Sequence, residues 1–269
     1  MNLSKISILG CGNIGSAIAT GLKISKSFKP KQIHLTTRKK SVLDEFKKQG
    51  FIVGDDNKKA IQKSNIIILA VGPNHLINLL NDISPHLKQK QIIVSVVSGI
   101  QIKDIQKKIG TKIPIIRAMP NTASASCESI TCLSSLEKFK NELKLVNSIF
   151  NKIGNTIIID EEQMSSATAL GACGVAFFLR AIRAASQGGI EIGFHPDEAF
   201  KIAAQTAKGA ATLLLENISH PESEIDKVTT PIGATISGLN EMEHQGFSSA
   251  MIKGITTSTE KVAKLFDKK

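Results

Sequence analysis

The run Gly10-Cys11-Gly12-Asn13-Ile14-Gly15 restricts this chain more than any other feature. Four apolar residues, Ile6–Leu9, precede it and read as a short strand. The segment Ile14–Lys26 that follows has helical spacing. Placed between a strand and a helix, G-x-G-x-x-G is the turn of a dinucleotide site. One glycine permits the tight turn, the next lets backbone approach a pyrophosphate, and the third lets helix and strand pack closely. The helix N-terminus then presents unpaired N–H groups to the anion. Alone, the hexapeptide would fit a ligand-free glycine turn equally well. Gly10, Gly12, Asn13 and Ile14 are therefore candidate cofactor contacts because of where they stand.

The first part of the chain alternates apolar runs with helical stretches. The runs are Ile6–Leu9, Ile33–Leu35, Ile66–Val71, Ile92–Val97, Ile113–Ile116 and Ile157–Ile159. The stretches are Ile14–Lys26, Val42–Lys48, Asn74–Ile83, Lys103–Lys108 and Leu136–Phe150. Continuous apolar runs without alternation indicate strands buried on both faces, so a parallel sheet between two helical layers is expected. After Asp160 strand-like runs cease and Ala-rich helical spacing takes over: Met164–Ala172, Val175–Gln187, Pro196–Leu215 and Phe247–Leu265. The expected fold class is α/β. A Rossmann-like parallel-sheet domain spans 1–161 and an all-helical domain spans 162–269. Phe177, Phe178, Leu179 and Ile182 make the helix Val175–Gln187 apolar over much of its circumference. Such a helix needs cover on all sides, which points to a second subunit.

An NAD site carries an acid at the end of its second strand, to accept the ribose 2′-hydroxyl. Here the segment is Thr36-Thr37-Arg38-Lys39-Lys40, without an acid. Thr37 and Arg38 suit a 2′-phosphate instead, so NADPH is the expected cofactor, with NADH as a second one.

The net charge of +11 bears on the same question. Residues 1–161 carry 24 Lys and Arg against 11 Asp and Glu; the remainder carries 10 against 12. No nucleic-acid-binding module is recognisable, and with Trp and Tyr absent and only 11 Phe an aromatic stacking platform for single strands is not expected. The four cysteines, Cys11, Cys127, Cys132 and Cys173, lack metal or redox spacing, and no metal site is expected. No apolar run of membrane-spanning length or signal peptide stands out, so a cytoplasmic enzyme is expected.

Several stretches together resemble the pyrroline-5-carboxylate reductase family over Ile6 to Lys261. They are ISILGCGNIGSAIATGL at the start, Asn57-Lys58, ILAVGP (Ile68–Pro73), VSVVSGI (Val94–Ile100), RAMPNT (Arg117–Thr122), QTAKGAA (Gln205–Ala211) and DKVTTPIGATISGL (Asp226–Leu239). The resemblance implies a Rossmann-like domain followed by a helical dimerisation domain, hence a homodimer or larger homo-oligomer. It implies reduction of 1-pyrroline-5-carboxylate to L-proline by a reduced nicotinamide. It adds Asn57, Ala70, Val71, Pro73, Ser98 and Gly99 as cofactor contacts. For the substrate it implies backbone N–H groups of Ala234 and Thr235 on the carboxylate, with the Thr230 hydroxyl beside them. The Thr235 hydroxyl then lies by the ring nitrogen as the catalytic group. A threonine there also suits a helix N-cap. Lys227 is either a further cation for the carboxylate or a surface lysine.

The chain departs from the family pattern at several places. Gly72 stands where many members carry Lys, Ala123 where they carry Pro, and Cys127-Glu128-Ser129 where they carry G-x-G. LGACGVAF (Leu170–Phe177), Lys227 and Ile232 also differ. Two other readings follow from these changes: reduction of a related cyclic imine, or an NADP-binding regulatory protein without turnover.

Overall fold

The computed structural model describes residues 5–217 and 219–264. The chain divides into two compact units, Met1–Cys173 with Ser258–Lys269, and Gly174–Thr257.

The first unit is built on one eight-stranded sheet. Its strands are β1 (Ile6–Leu9), β2 (Ile33–Thr36), β3 (Ile52–Gly54), β4 (Ile66–Leu69), β5 (Ile92–Ser95), β6 (Ile115–Met119), β7 (Ser129–Ser135) and β8 (Gly154–Ile158). They lie in the order β3-β2-β1-β4-β5-β6-β7-β8. Between them run α1 (Asn13–Ile24), α2 (Lys40–Lys48), α3 (Asn57–Gln62), α4 (Pro73–Ile83), α5 (Ile102–Ile109) and α6 (Lys140–Phe150).

The continuous apolar strands have the consequence expected of them. Ile6 and Ile8 of β1 and Ile66 and Ile68 of β4 join one core with Ile18, Leu22, Val146 and Phe150. The alternate residues Leu9, Ile67 and Leu69 join a second core with Ile61, Leu76, Leu80 and Ile105. Successive strand side chains point to opposite faces, so each apolar run feeds both layers.

Two features depart from the sequence expectation. The sheet is not wholly parallel: β6 and β7 pair antiparallel, and β8 pairs parallel with β7. In addition β3, β7 and α3 carry no strong sequence signal. Strand β7 is SITCLSS, and its Ser129, Thr131 and Ser134 are buried although polar.

The compact first unit also extends beyond residue 161. The segment Met164–Ala167 (α7) continues through a π-helical turn, Thr168–Cys173. Met164 is buried with Met119 and Cys132, and the Asn121 side-chain amide donates to the Gly171 carbonyl at 2.9 Å. Those contacts hold the start of the helical region against the sheet.

The second unit contains α8 (Gly174–Glu191), α9 (Pro196–Asn217), α10 (Pro221–Lys227) and α11 (Ala234–His244). Helix α12 (Phe247–Ala263) closes the described chain; its expected end at Leu265 lies outside the described residues. Helices α8 and α9 meet closely, where Gly189 faces Ala199. By length and composition the helical run Glu161–Glu191 could cross a membrane, contrary to the sequence reading, and 17% of its apolar window is buried.

One buried ion pair organises the sheet's far side. Arg117 of β6 is 5% exposed and its guanidinium lies 3.3 Å from Glu161. The same carboxylate oxygen accepts the Ile102 N–H at the start of α5, at 2.7 Å. Burial pulls the Arg117 pKa below its ordinary value, and the Glu161 charge opposes that pull. Removing one partner of such a pair leaves an uncompensated buried charge. Glu161→Ala is expected to cost about 3 kcal/mol, seen as a lower urea midpoint with an unchanged slope. An unchanged midpoint would show the pair to be dispensable.

Candidate active site

The glycine turn is shaped by contact as much as by conformation. Gly10 sits at φ +98°, and a Cβ there would lie 2.6 Å from the Ala70 carbonyl oxygen. A Cβ on Gly15 would be driven into the Gly10 carbonyl. The N–H groups of Gly10 and Cys11 both donate to the Thr36 carbonyl, each at 3.0 Å, so the turn is tied to the end of β2. Gly12 is the N-cap of α1 and supplies no side chain to it. The first helical N–H groups therefore stay open, ahead of the bond from Ser16 N–H to Gly12 O at 2.9 Å. Burial pushes the Cys11 thiol pKa up and the Glu45 charge adds to that; the hydrogen bond with Ser16 acts the other way. Burial thus disfavours the thiolate, the nucleophilic form.

A cavity of about 520 Å³ opens over this turn. It lies at the carboxyl ends of β1, β2 and β4, where strand order reverses, the usual ligand position in open α/β sheets. Of the expected cofactor residues, Gly10, Gly12, Thr37, Arg38, Asn57, Ala70 and Val71 line it. Asn13, Ile14, Pro73, Ser98 and Gly99 do not. Asn13 and Ile14 begin α1, Pro73 begins α4, and Ser98 and Gly99 follow β5. The Ser98 hydroxyl contacts Met119 Sδ at 3.9 Å. The Thr36 hydroxyl donates to Asn57 Oδ1 at 2.7 Å, which fixes the amide and leaves its NH₂ free to donate.

The cavity also holds residues that the sequence reading passed over: Asp55, His75, Asn78, Leu79 and Asp82. The last four recur at i, i+3, i+4 and i+7 and so share one face of α4, a spacing that was legible. Asp82 is paired with Lys58 at 2.9 Å, and this bond raises the lysine pKa.

The expected substrate residues fall in the second unit. Gly233 N–H donates to the Thr230 carbonyl at 2.9 Å, closing a turn with Pro231 and Ile232 at its centre. Ile232 adopts φ +60° and is fully exposed. That conformation at the third turn position belongs to type II turns, which favour glycine there; a β-branched residue is strained in it. Gly233 is the N-cap of α11 and makes no side-chain cap. Ala234 and Thr235 are the first two helical residues, and their N–H groups precede the first intrahelical bond, Ser237 N–H to Gly233 O. Thr235 is thus not the N-cap. Thr230, Ala234 and Thr235 are all exposed. Lys227 ends α10 and donates to Glu224 at 2.7 Å within the same helix.

Comparison with known proteins decides the family. Residues 161–265 match a family model described as pyrroline-5-carboxylate reductase dimerisation. Residues 5–99 match one described as NADP oxidoreductase, coenzyme F420-dependent. Pyrroline-5-carboxylate reductase 2 of Dictyostelium discoideum is 48% identical over 98% of this chain and 93% of its own length. The chain belongs to the pyrroline-5-carboxylate reductase family. It is an oxidoreductase of the kind that reduces 1-pyrroline-5-carboxylate to proline.

Pyrroline-5-carboxylate reductase 1 of the same organism is 54% identical over 98% of the chain, which spans 50% of that relative's length. Among solved structures, a Plasmodium falciparum pyrroline carboxylate reductase with NADP bound superposes with a TM-score of 0.87. Its identity is 25%, and 98% of each chain is covered. A Coxiella burnetii pyrroline-5-carboxylate reductase gives 0.87 at 28% identity, covering 98% of this chain and 99% of its own.

The tightness of the glycine turn yields a direct test. Gly15→Ala is expected to weaken binding of the reduced dinucleotide at least tenfold by calorimetry, because the added carbon displaces the Gly10 carbonyl. Affinity within twofold of the unmodified protein would contradict this.

Proposed function

We propose that the chain reduces 1-pyrroline-5-carboxylate to L-proline with NADPH as its preferred reductant. The observation that carries this reading is the open, glycine-capped start of α11 behind the Thr230–Gly233 turn. Bound NADPH supplies the hydride that the imine carbon takes. Gly10, Gly12, Thr37, Arg38, Asn57, Ala70 and Val71, which line the cavity, would hold it, and Asn13, Ile14, Pro73, Ser98 and Gly99 would add contacts from outside that lining. Arg38, exposed in the cavity beside Thr37, would take the 2′-phosphate.

On the substrate side, backbone N–H groups of Ala234 and Thr235 take the carboxylate at the positive end of the helix dipole. The Thr230 hydroxyl adds a donor. A threonine hydroxyl is a weak acid, so Thr235 acts by position. Its hydroxyl bonds the ring nitrogen and relays a proton from water as the carbon is reduced. Lys227, paired with Glu224, adds a nearby cation in sequence and leaves the turn's N–H groups as the main anion contacts.

The reading includes a homodimer. Phe178, Leu179, Ile192, Phe200 and Leu215 are large apolar side chains exposed in the second unit. They lie inside the stretch that matches the family's dimerisation model. A second copy covering them also accounts for the apolar run Glu161–Glu191 without a membrane. The described cysteines are all free, which suits the cytoplasm.

Thr235→Ala is expected to lower kcat/KM for the imine at least thirtyfold while NADPH affinity stays within twofold. Thr235→Ser should recover most of the loss because it restores the hydroxyl. Equal activity of the alanine and serine variants would remove the hydroxyl from the mechanism.

A further inference from the structure

We propose that Asp55 is a cofactor-specificity residue that moderates the preference for NADPH and supports use of NADH. The inference rests on the dinucleotide reading of the cavity and concerns the end of it that takes the adenosine ribose.

The expected acid is missing from the end of β2, yet the sheet supplies one from the neighbouring strand. Strands β2 and β3 pair in parallel with Thr36 opposite Gly54. The Thr37 N–H donates to the Gly54 carbonyl at 3.3 Å. Asp55 follows directly, so the register sets it beside Thr37. Asp55, Thr37, Arg38 and Lys39 line the same cavity.

The nearby carboxylates differ in what they do. Asp56 accepts the Lys59 N–H at 3.1 Å and caps α3. Asp82 is bonded to Lys58. Asp55 is exposed, and among the described residues no hydrogen bond or ion pair engages its carboxylate. It is therefore available to a ligand.

The chemistry of that position separates the two cofactors. A ribose 2′-hydroxyl donates a hydrogen bond, and an ionised carboxylate is an acceptor only. A 2′-phosphate offers no such proton at neutral pH and carries about two negative charges, which the carboxylate repels. Arg38 and Lys39 act in the opposite sense, since they attract the phosphate. The cavity thus sets two cations against one free carboxylate, and the balance determines selectivity.

The test measures NADPH and NADH affinity by calorimetry, without imine, for the unmodified protein and for Asp55→Asn, Asp55→Ser and Arg38→Ala. Both Asp55 substitutions are expected to tighten NADPH about threefold and weaken NADH about threefold, moving the ratio about tenfold. Arg38→Ala should move the ratio the other way. An unchanged ratio in both Asp55 variants, with Arg38→Ala still shifting it, overturns the role of Asp55 and leaves the dinucleotide site standing. Equal loss of both cofactors in the Asp55 variants marks a structural role and also overturns it. If neither cofactor binds the unmodified protein, the reading of the cavity itself fails.

Discussion

The first unit depends on how closely β1, β2 and β4 approach one another at their carboxyl ends. Two N–H groups, of Gly10 and Cys11, converge on one carbonyl, that of Thr36. The backbone of Gly10 simultaneously lies against Ala70 and Val71. A side chain at Gly10 or Gly15 would separate these segments, and the helix N-terminus would no longer point at the space where strand order reverses. Strand pairing, helix position and the cavity are thus set by one crowded turn. The apolar strands behind it, buried on both faces, hold that turn rigid.

The first unit was largely legible because the central strands β1, β4 and β5 consist almost entirely of Ile, Leu and Val. The glycine turn and Arg38 could be read from sequence alone, since each needs particular residue types at particular positions. Strand β7 could not. It lies between β6 and β8 inside the sheet, and its Ser129, Thr131, Cys132 and Ser134 are buried there, a tertiary effect without a hydrophobic pattern. The antiparallel turn of the sheet was missed for the same reason. Asp55 was missed because the expected acid belongs to β2, and three-residue β3 gave no sign that it would deliver one from alongside. In the second unit the sequence allows Thr235 as a helix N-cap, but Gly233 fills that place and Thr235 is the second residue of α11.

The charge excess takes a more limited meaning from the structure. It lies in the part of the chain that forms the sheet, but few cations line the cavity. Lys58 is spent on Asp82, and Lys107 and Lys140 on neighbours three residues away. Arg38 and Lys39 remain at the cavity. The proposed selectivity for an anionic cofactor thus turns on two side chains and their carboxylate neighbour, not on the net charge of +11. Long-range attraction from the other lysines is screened within about 8 Å at physiological salt.

Sequence, fold and family converge on a protein that moves hydride from a nicotinamide to an imine carbon. The most direct measurement uses NADPH carrying deuterium at both C4 positions of the nicotinamide, with 1-pyrroline-5-carboxylate, in ordinary water. Mass spectrometry and NMR of the product should show proline with one deuterium, on the ring carbon that had been doubly bonded to nitrogen. Proline without deuterium, or cofactor left unconsumed, would contradict the account.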